Sequence, residues 1–322
     1  MPSFFRGSTK AAPTIREEIG LLVNDQHYYY QPPISTVTFF EGSLSRERLT
    51  ERVQKVLSAN PWLGGRLTGE PGKLRLAIPE EAAIGDHLFF TRNEKLRPDQ
   101  PLATLDTLAE PMLVPIGDAS LAVPLFVVTA VEAASARFAL VISMSHVIAD
   151  GHTYYSIYGQ LSDAAADGAD APATALVAKR DDDFGMMLRC ALKARSEWPL
   201  HPHGTPAASE PLPRGVWRFR EEWLAAEKQR AVAEAAAAAG GEAGGEAVAF
   251  VSTNDVICSW IFSRGAYDVG IVSANLRGRM SGLKAAHAGN YECATNCHRL
   301  PLIATDCSGF KATHAGNYEC AT

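Results

Sequence analysis

The chain has 322 residues, of which 47% are hydrophobic and 20% are charged, and its formal net charge is −6. This length accommodates about two domains with a substantial buried core. The 30 Lys and Arg residues are scattered along the chain, which argues against a nucleic-acid surface or a polybasic membrane patch. No apolar secretory segment opens the chain, and no later stretch approaches about 18 uninterrupted apolar residues, so we expect a cytoplasmic protein without a membrane span.

The first part of the chain predicts a mixed sheet with a helix packed on it. Residues 35–40 are β-branched or aromatic except for Ser35 and predict a strand, and residues 73–78 predict another. Residues 124–131 and 137–145 are apolar and flank a short polar turn, so we expect them to form an antiparallel pair. Apolar residues at helical spacing predict a helix that stops before Pro61. These residues are Leu44, Leu49, Val53, Val56 and Leu57.

The segment His146-Val147-Ile148-Ala149-Asp150-Gly151 follows the second strand of that pair. Gly151 permits a tight turn, and helical spacing of aromatic and apolar residues then continues to Leu161. His146 is therefore predicted to lie at a strand-to-helix junction, where its ring can face a cavity. Because neutral imidazole accepts protons near pH 7, the pattern indicates a general base for acyl transfer. The alternative is a core histidine bonded to a turn, with Asp150 capping the helix.

The second part of the chain begins after an irregular crossover. Residues 164–213 lose periodicity and accumulate Asp, Ala, Pro and His, which is typical of a surface connection between domains. Regular patterns then return. They predict a helix over 219–238, a flexible glycine-rich connector over 240–245, a strand over 248–252, a helix over 255–263 and a strand over 270–275.

Several motifs follow one another in a recognisable order. They are Asn60-Pro61-Trp62-Leu63-Gly64-Gly65-Arg66-Leu67, the segment from His146 to Gly151, Ser252-Thr253-Asn254-Asp255-Val256 with Trp260, Asn275-Leu276-Arg277-Gly278-Arg279, and Ala288-Gly289-Asn290-Tyr291. In this order they resemble the chloramphenicol-acetyltransferase-like superfamily, and its BAHD-type acyl-CoA transferases in particular. Wax ester synthases and peptide-synthetase condensation domains belong to the same superfamily. The resemblance covers about residues 28–292 and implies a two-layer α/β sandwich.

The resemblance and the crossover together predict four segments. An N-terminal acyltransferase domain over 1–165 carries the His146 motif, and a crossover spans 166–213. A partial second acyltransferase domain then occupies 214–292, and an irregular tail that repeats an earlier segment occupies 293–322. Relatives in the superfamily continue well past the Gly-Asn motif, so we expect a complete first domain and an incomplete second one.

The resemblance also implies roles for the motif residues and for two arginines. His146 is expected to be the catalytic base, and Asp150 is expected to turn away from the substrate and pair with an arginine. This pair would brace the loop that Gly151 helps to turn. Arg277 is the first candidate for the partner and Arg279 the second. The alternative for both arginines is a solvated surface position.

Two asparagines are candidates for the substrate tunnel. Asn254 lies in the Ser-Thr-Asn-Asp motif, where the alternative is the N-terminus of a helix. Asn290 follows Gly289, where the alternative is a shaped turn near the tunnel mouth. The sequence does not identify the donor that would stabilise an oxyanion.

The cysteines do not indicate a disulfide framework or a metal site. Six cysteines are few for this length. Several of them cluster near the end of the chain with histidines, at Cys293, Cys297, His298, Cys307, His314 and Cys320. A Cys-x-x-x-Cys-His spacing matches neither a zinc knuckle nor a haem attachment motif, so we expect no metal.

Three functions stay open at this point. The leading hypothesis is an enzyme that transfers an acyl group from acyl-CoA, as a co-substrate, to a hydroxyl or amine of a small acceptor, without a bound cofactor. A wax-ester or condensation type is an alternative, although those branches commonly have a second His where this chain has Ser145. The third is an inactive remnant that acts as a binding module. The length and the crossover favour a monomer.

Overall fold

The structure is a computed structural model that describes residues 13–133, 137–161, 173–181, 219–239, 250–264, 270–280, 282–297, 310–312 and 318–320. The chain divides into two compact units, one of residues 1–212 with 284–291 and the other of residues 213–283 with 292–322. Residues 284–291 are predicted to belong to the second domain, whereas they lie in the first unit. Their backbone explains this placement, because Val177 N–H donates to Ala286 O and Ala288 N–H donates to Val177 O. The predicted connector over 240–245 lies outside the described residues, and the predicted crossover is described at 173–181 alone.

The first unit contains two sheets. Its strands are Ile15–Gly20 (β1), Ile34–Glu41 (β2), Arg66–Thr68 (β3), Arg75–Pro79 (β4), Leu88–Arg92 (β5), Phe126–Ala133 (β6) and Arg137–Met144 (β7). Its helices are Val23–His27 (α1), Arg46–Ala59 (α2), Leu102–Ala109 (α3) and Gly151–Leu161 (α4). One sheet has the order β2-β7-β6-β5, in which β5 and β6 are parallel and the other neighbours antiparallel; the other sheet is antiparallel with the order β1-β4-β3. The predicted antiparallel pair and the mixed sheet are therefore confirmed.

The two central strands, β6 and β7, are covered on both faces of their sheet. Side chains alternate between the faces, so that Ile142 and Met144 join one buried cluster while Ala139 and Val141 join another. The first cluster includes apolar side chains of α2 and α4, and Ala109 of α3 lies in the second. This burial explains why both strands are almost continuously apolar.

Helix α2 forms where its sequence pattern predicts. The Ser45 side chain accepts a hydrogen bond from Arg48 N–H and so caps the first turn. The helix ends at Ala59, and a short 3-10 turn over Pro61–Gly64 follows. Its four buried side chains are Leu49, Val53, Val56 and Leu57, and burial of such a side chain contributes about 1.5–3 kcal/mol.

The second unit contains two helices and two strand pairs. Its elements are Glu221–Ala239 (α5), Thr253–Arg264 (α6), Gly270–Asn275 (β8), Glu292–Cys297 (β9), Phe310–Ala312 (β10) and Tyr318–Cys320 (β11). Strand β8 pairs with β9 and β10 pairs with β11, both antiparallel. Across all the segments given above, no helix combines the length and the apolar character that crossing a membrane requires.

The strand predicted over 248–252 is wrong for its described part, because residues 250–252 are not in a strand. Ser252 instead caps α6. Its Oγ accepts from Asp255 N–H at 3.1 Å, and the Asp255 carboxylate accepts from Ser252 N–H at 2.8 Å. These two reciprocal hydrogen bonds stabilise the first turn of a helix. They therefore favour a helix start over an extended strand at these residues. The helices predicted over 219–238 and 255–263 are confirmed as α5 and α6.

Acid should destabilise the first unit through His87, a fully buried residue just before β5. Its Nδ1–H donates to Phe126 O at 2.8 Å, while burial and the nearby Arg66 guanidinium lower the pKa of His87 to about 4. The unfolded chain binds a proton near pH 6.5, so between about pH 6.5 and 4 it binds more protons than the folded chain. We expect the free energy of unfolding to fall by about 3 kcal/mol over this range.

Urea unfolding of wild type and His87→Gln at a series of pH values tests this expectation. The substitution should flatten the acid dependence between about pH 6.5 and 4. His152→Gln is the matched control, because His152 is a partly exposed histidine of the same unit. An acid dependence that survives in His87→Gln would contradict the assignment.

Candidate active site

His146 lies in the short connection between β7 and α4. The strand ends at Met144 and the helix begins at Gly151, so the histidine occupies the predicted junction. Val147, Ile148 and Ala149 beside it are buried at 1% exposure or less and anchor the connection in the core. His146 itself is half-buried.

The ring nitrogens of His146 differ in their contacts. Nδ1 lies 3.2 Å from Asn290 Oδ1. The orientation of this amide follows from its other contacts, because Asn290 Nδ2 donates to Asp25 Oδ1 at 2.8 Å, His146 O at 2.8 Å and Val147 O at 3.3 Å. All three partners are acceptors, so the amide nitrogen faces them and the amide oxygen faces the ring. His146 Nδ1 therefore carries the hydrogen, and the lone pair of a neutral ring is on Nε2.

Tyr28 fixes the plane of the same ring. It begins the 3-10 turn Tyr28–Tyr30 directly after α1. Its ring is stacked on His146 with a centroid distance of 3.8 Å and an interplanar angle of 2°. Stacking over one face and a hydrogen bond at Nδ1 together hold the imidazole in one orientation.

Asp150 is buried at 2% exposure and binds backbone groups. Oδ1 accepts from Thr153 N–H at 2.9 Å and so caps α4. Oδ2 accepts from Tyr291 N–H at 3.0 Å, and Asp150 N–H donates to Gly289 O at 3.2 Å. The helix cap that the sequence leaves as an alternative is therefore present. The hydrogen bonds of Asp150 to Tyr291 and Gly289 also hold the Gly289–Tyr291 segment beside His146.

The two arginines predicted to partner Asp150 lie in the second unit. Arg277 is buried at 7% exposure, and its Nη1 donates to Asn275 Oδ1 at 3.1 Å. Arg279 is exposed. The pairing of Asp150 with Arg277 stays a prediction.

The other predicted residues have simpler environments. Asn254 is exposed at the start of α6, the helix N-terminus considered above, and its Oδ1 lies 3.6 Å from Cys258 Sγ. Gly151 is the first residue of α4, and a Cβ there would meet no atom within 4 Å. Glycine is therefore not required at 151 for packing. Within the described ranges, no group of three or more His, Cys, Asp or Glu side chains could hold a metal ion.

A buried ion pair that no sequence pattern predicts lies next to Asn290. Arg180 Nε donates to Asp25 Oδ2 at 2.8 Å, and the two side chains are 3% and 0% exposed. Arg180 Nη1 also donates to Ala288 O at 2.8 Å. Asp25 follows an apolar run and is the third residue of α1, where it reads as a capping residue. Arg180 stands in a run of charged residues that reads as solvated surface.

Gly289 packs directly against the guanidinium of Arg180. Its φ is +133°, and a Cβ there would lie 2.6 Å from Arg180 Nη1 and 2.7 Å from Cζ. Gly289→Ala should therefore lower the free energy of unfolding by about 1–3 kcal/mol through backbone strain, and by more through displacement of the guanidinium.

Gly72→Ala is the matched control for Gly289→Ala. Gly72 has a φ of +91°, and a Cβ there meets no atom within 4 Å, so its substitution measures the cost of a positive φ alone. Urea unfolding of both variants separates the two contributions. Equal destabilisation at the two positions would contradict the predicted clash with Arg180.

The chain matches no protein-family model and no curated protein. It is similar to the solved structure of TRI101 from F. sporotrichioides complexed with coenzyme A and T-2, with 14% identity over 90% of this chain and 70% of that chain and a TM-score of 0.51. The condensation domain of the Monacolin K polyketide synthase MokA has 11% identity over 91% of this chain and 72% of that chain, with a TM-score of 0.54. Polyketide synthase associated protein 5 from Mycobacterium tuberculosis has 13% identity over the same shares, with a TM-score of 0.54. The predicted fold class is confirmed: the chain has the α/β fold of chloramphenicol-acetyltransferase-like proteins.

Proposed function

We propose that the chain transfers an acyl group from acyl-CoA to a hydroxyl or amine of a small acceptor, with His146 as the general base. The observation that carries this proposal is the contact of His146 Nδ1 with Asn290 Oδ1 at 3.2 Å. It assigns the hydrogen to Nδ1 and leaves the Nε2 lone pair to accept a proton.

The proposed reaction uses Nε2 in both proton transfers. Nε2 removes the proton of the acceptor hydroxyl or amine as its oxygen or nitrogen attacks the thioester carbonyl. The C–S bond of the tetrahedral intermediate then breaks, and Nε2 returns the proton to the sulfur, which leaves as the coenzyme A thiol. Between the two steps the ring is an imidazolium, and Nδ1–H stays bonded to the amide oxygen of Asn290.

The fold supports two kinds of acyl donor. A structure of TRI101 contains coenzyme A, which favours acyl-CoA as the donor. The similarity to the MokA condensation domain favours a second candidate, a condensation-type reaction with an acyl group on a carrier protein. Ser145 precedes the catalytic histidine in this chain, where condensation-type relatives commonly have a second His, and this difference favours acyl-CoA.

Thiol release from a panel of acyl-CoA thioesters, in the presence of pooled alcohols and amines, tests the proposal. We expect acceptor-dependent release by the wild-type chain, with an acylated product in the mass spectrum. The His146→Ala variant gives the background. Release from carrier-bound acyl groups alone would select the condensation-type reaction. Release from neither donor above that background, in protein with a native circular dichroism spectrum, would reject the enzyme in favour of a binding module.

A further inference from the structure

The carboxylate of Asp25 is fully buried, and hydrogen bonds reach both of its oxygens. Oδ2 accepts from Leu22 N–H and from Arg180 Nε, each at 2.8 Å. Oδ1 accepts from Asn290 Nδ2 at 2.8 Å. A buried ion pair of this kind is weak evidence for stability, because well-packed apolar residues often serve as well. Its position against Asn290 points to a role in orienting that amide.

An ionised carboxylate only accepts hydrogen bonds, so Asp25 can bond to the NH2 group of Asn290 but not to its amide oxygen. If the Asn290 amide turned over, its oxygen would face Asp25 Oδ1 at the distance that Nδ2 now occupies. It would also face the carbonyl oxygens of His146 and Val147. In a buried site these acceptor-to-acceptor contacts are costly, so the carboxylate helps to keep Oδ1 of Asn290 directed at His146 Nδ1.

We propose that Asp25 is a positioning residue for the acyl transfer proposed above, and that it acts on His146 through Asn290. The carboxylate orients the amide, the amide oxygen holds the hydrogen on Nδ1, and Nε2 is thereby kept as the base. Arg180 supplies the counter-charge that Asp25 needs in its buried position. The inference rests on the proposed function for its effect on rate, whereas its effect on the tautomer can be measured without any substrate.

The variant Asp25→Asn tests the hydrogen-bond chain from Asp25 through Asn290 to His146 with little change in shape. Two donors, Leu22 N–H and Arg180 Nε, point at the position of Oδ2, so the new amide must place its oxygen there. Its NH2 group then faces Asn290 Nδ2, donor against donor. The substitution thus removes one of the three acceptors that hold Asn290 Nδ2, while His146 O and Val147 O still favour the present orientation. A larger fraction of the molecules should therefore have Asn290 turned over, with its NH2 toward His146 Nδ1. We therefore expect Asp25→Asn to move the ring hydrogen toward Nε2.

Nitrogen-15 NMR of the histidine-labelled chain reads this change directly, with the His146 signals assigned by their loss in His146→Ala. The wild type should show protonated Nδ1 and unprotonated Nε2 in the neutral ring, and Asp25→Asn should increase the opposite tautomer. With an active donor and acceptor, kcat should fall in proportion to the fraction of molecules in the opposite tautomer, with KM changed by less than about two-fold. In an Asn290→Ala background, Asp25→Asn should cause no further loss of kcat, because the connecting amide is gone.

Asp86→Asn is the control for removal of a carboxylate from an ion pair elsewhere in the first unit, since Asp86 pairs with Arg66 at 3.1 Å. It should leave the His146 tautomer and kcat unchanged. An unchanged tautomer in folded Asp25→Asn would overturn the inference. A hydrogen on Nε2 of the neutral His146 ring in the wild type would also overturn it, and this result does not depend on the folding of any variant. A tautomer shift in a protein that releases no thiol would instead support the positioning role of Asp25 and reject the proposed function.

Discussion

Replacing His146 with alanine should lower kcat for acyl transfer by about 10²- to 10⁴-fold, the usual contribution of a general base. The imidazole lies in the β7–α4 connection with its plane set by Tyr28 and its Nδ1 set by Asn290. Its removal deletes the proton acceptor but leaves the buried anchors Val147 and Ile148 in place. Steady-state thiol release measures the effect, and KM should change far less than kcat.

His152→Ala is the matched control, because His152 lies six positions further along the chain and is the second residue of α4, which follows the His146 connection. Its Nε2 bonds to the backbone oxygen of Ala285 at 3.0 Å, so it too has a ring contact in the first unit. We expect nearly wild-type kcat from this variant. Comparable losses in the two variants would show that disturbance of the helix start, rather than loss of a base, explains the result.

Replacing Arg180 with methionine should lower the free energy of unfolding by about 3–5 kcal/mol. The variant leaves the Asp25 carboxylate, which is 0% exposed, without its counter-charge. It also removes the donor to Ala288 O. Removal of both charges, in Asp25→Asn with Arg180→Met, should be less harmful than the sum of the single changes, because no uncompensated charge stays buried.

Arg75→Met is the comparison for a solvated ion pair in the same unit. Arg75 and Glu18 are 50% and 43% exposed, and loss of such a pair costs less than about 1 kcal/mol. Urea unfolding of the four variants gives the required free energies. Similar losses for Arg180→Met and Arg75→Met would show that an unpaired carboxylate at Asp25 carries no special cost.

Local patterns in the sequence were sufficient to predict the main elements. The apolar stripe of α2 and the continuous apolar run of β7 report burial directly, because each depends on neighbouring residues of one element. The strand over 248–252 failed for its described residues because Ser252 and Asp255 cap a helix there, and such caps compete with extended backbone. The prediction of a helix start at the same motif was correct.

The site was predictable only where its residues are close in sequence. His146 and the cap formed by Asp150 belong to one segment, and the pattern identifies both. Asn290 lies 144 residues from His146, and Asp25 lies 265 residues from Asn290, so their contacts depend on tertiary packing. Asn290 was predicted near a tunnel, which stays a prediction, and its buried amide contacts the His146 ring. No local pattern distinguishes Asp25 or Arg180 from an ordinary cap and a solvated charge.

Residues 284–291 return to the first unit after the chain has built part of the second. The partners that Asp150, His146 and Arg180 need in this segment include Tyr291 N–H, the Asn290 amide and Ala288 O. During synthesis, the first unit therefore cannot complete its hydrogen bonds until these late residues have emerged from the ribosome. The hydrogen bonds around His146 are completed after translation of most of the chain, and a fragment ending near residue 212 would leave buried polar groups of the first unit unsatisfied.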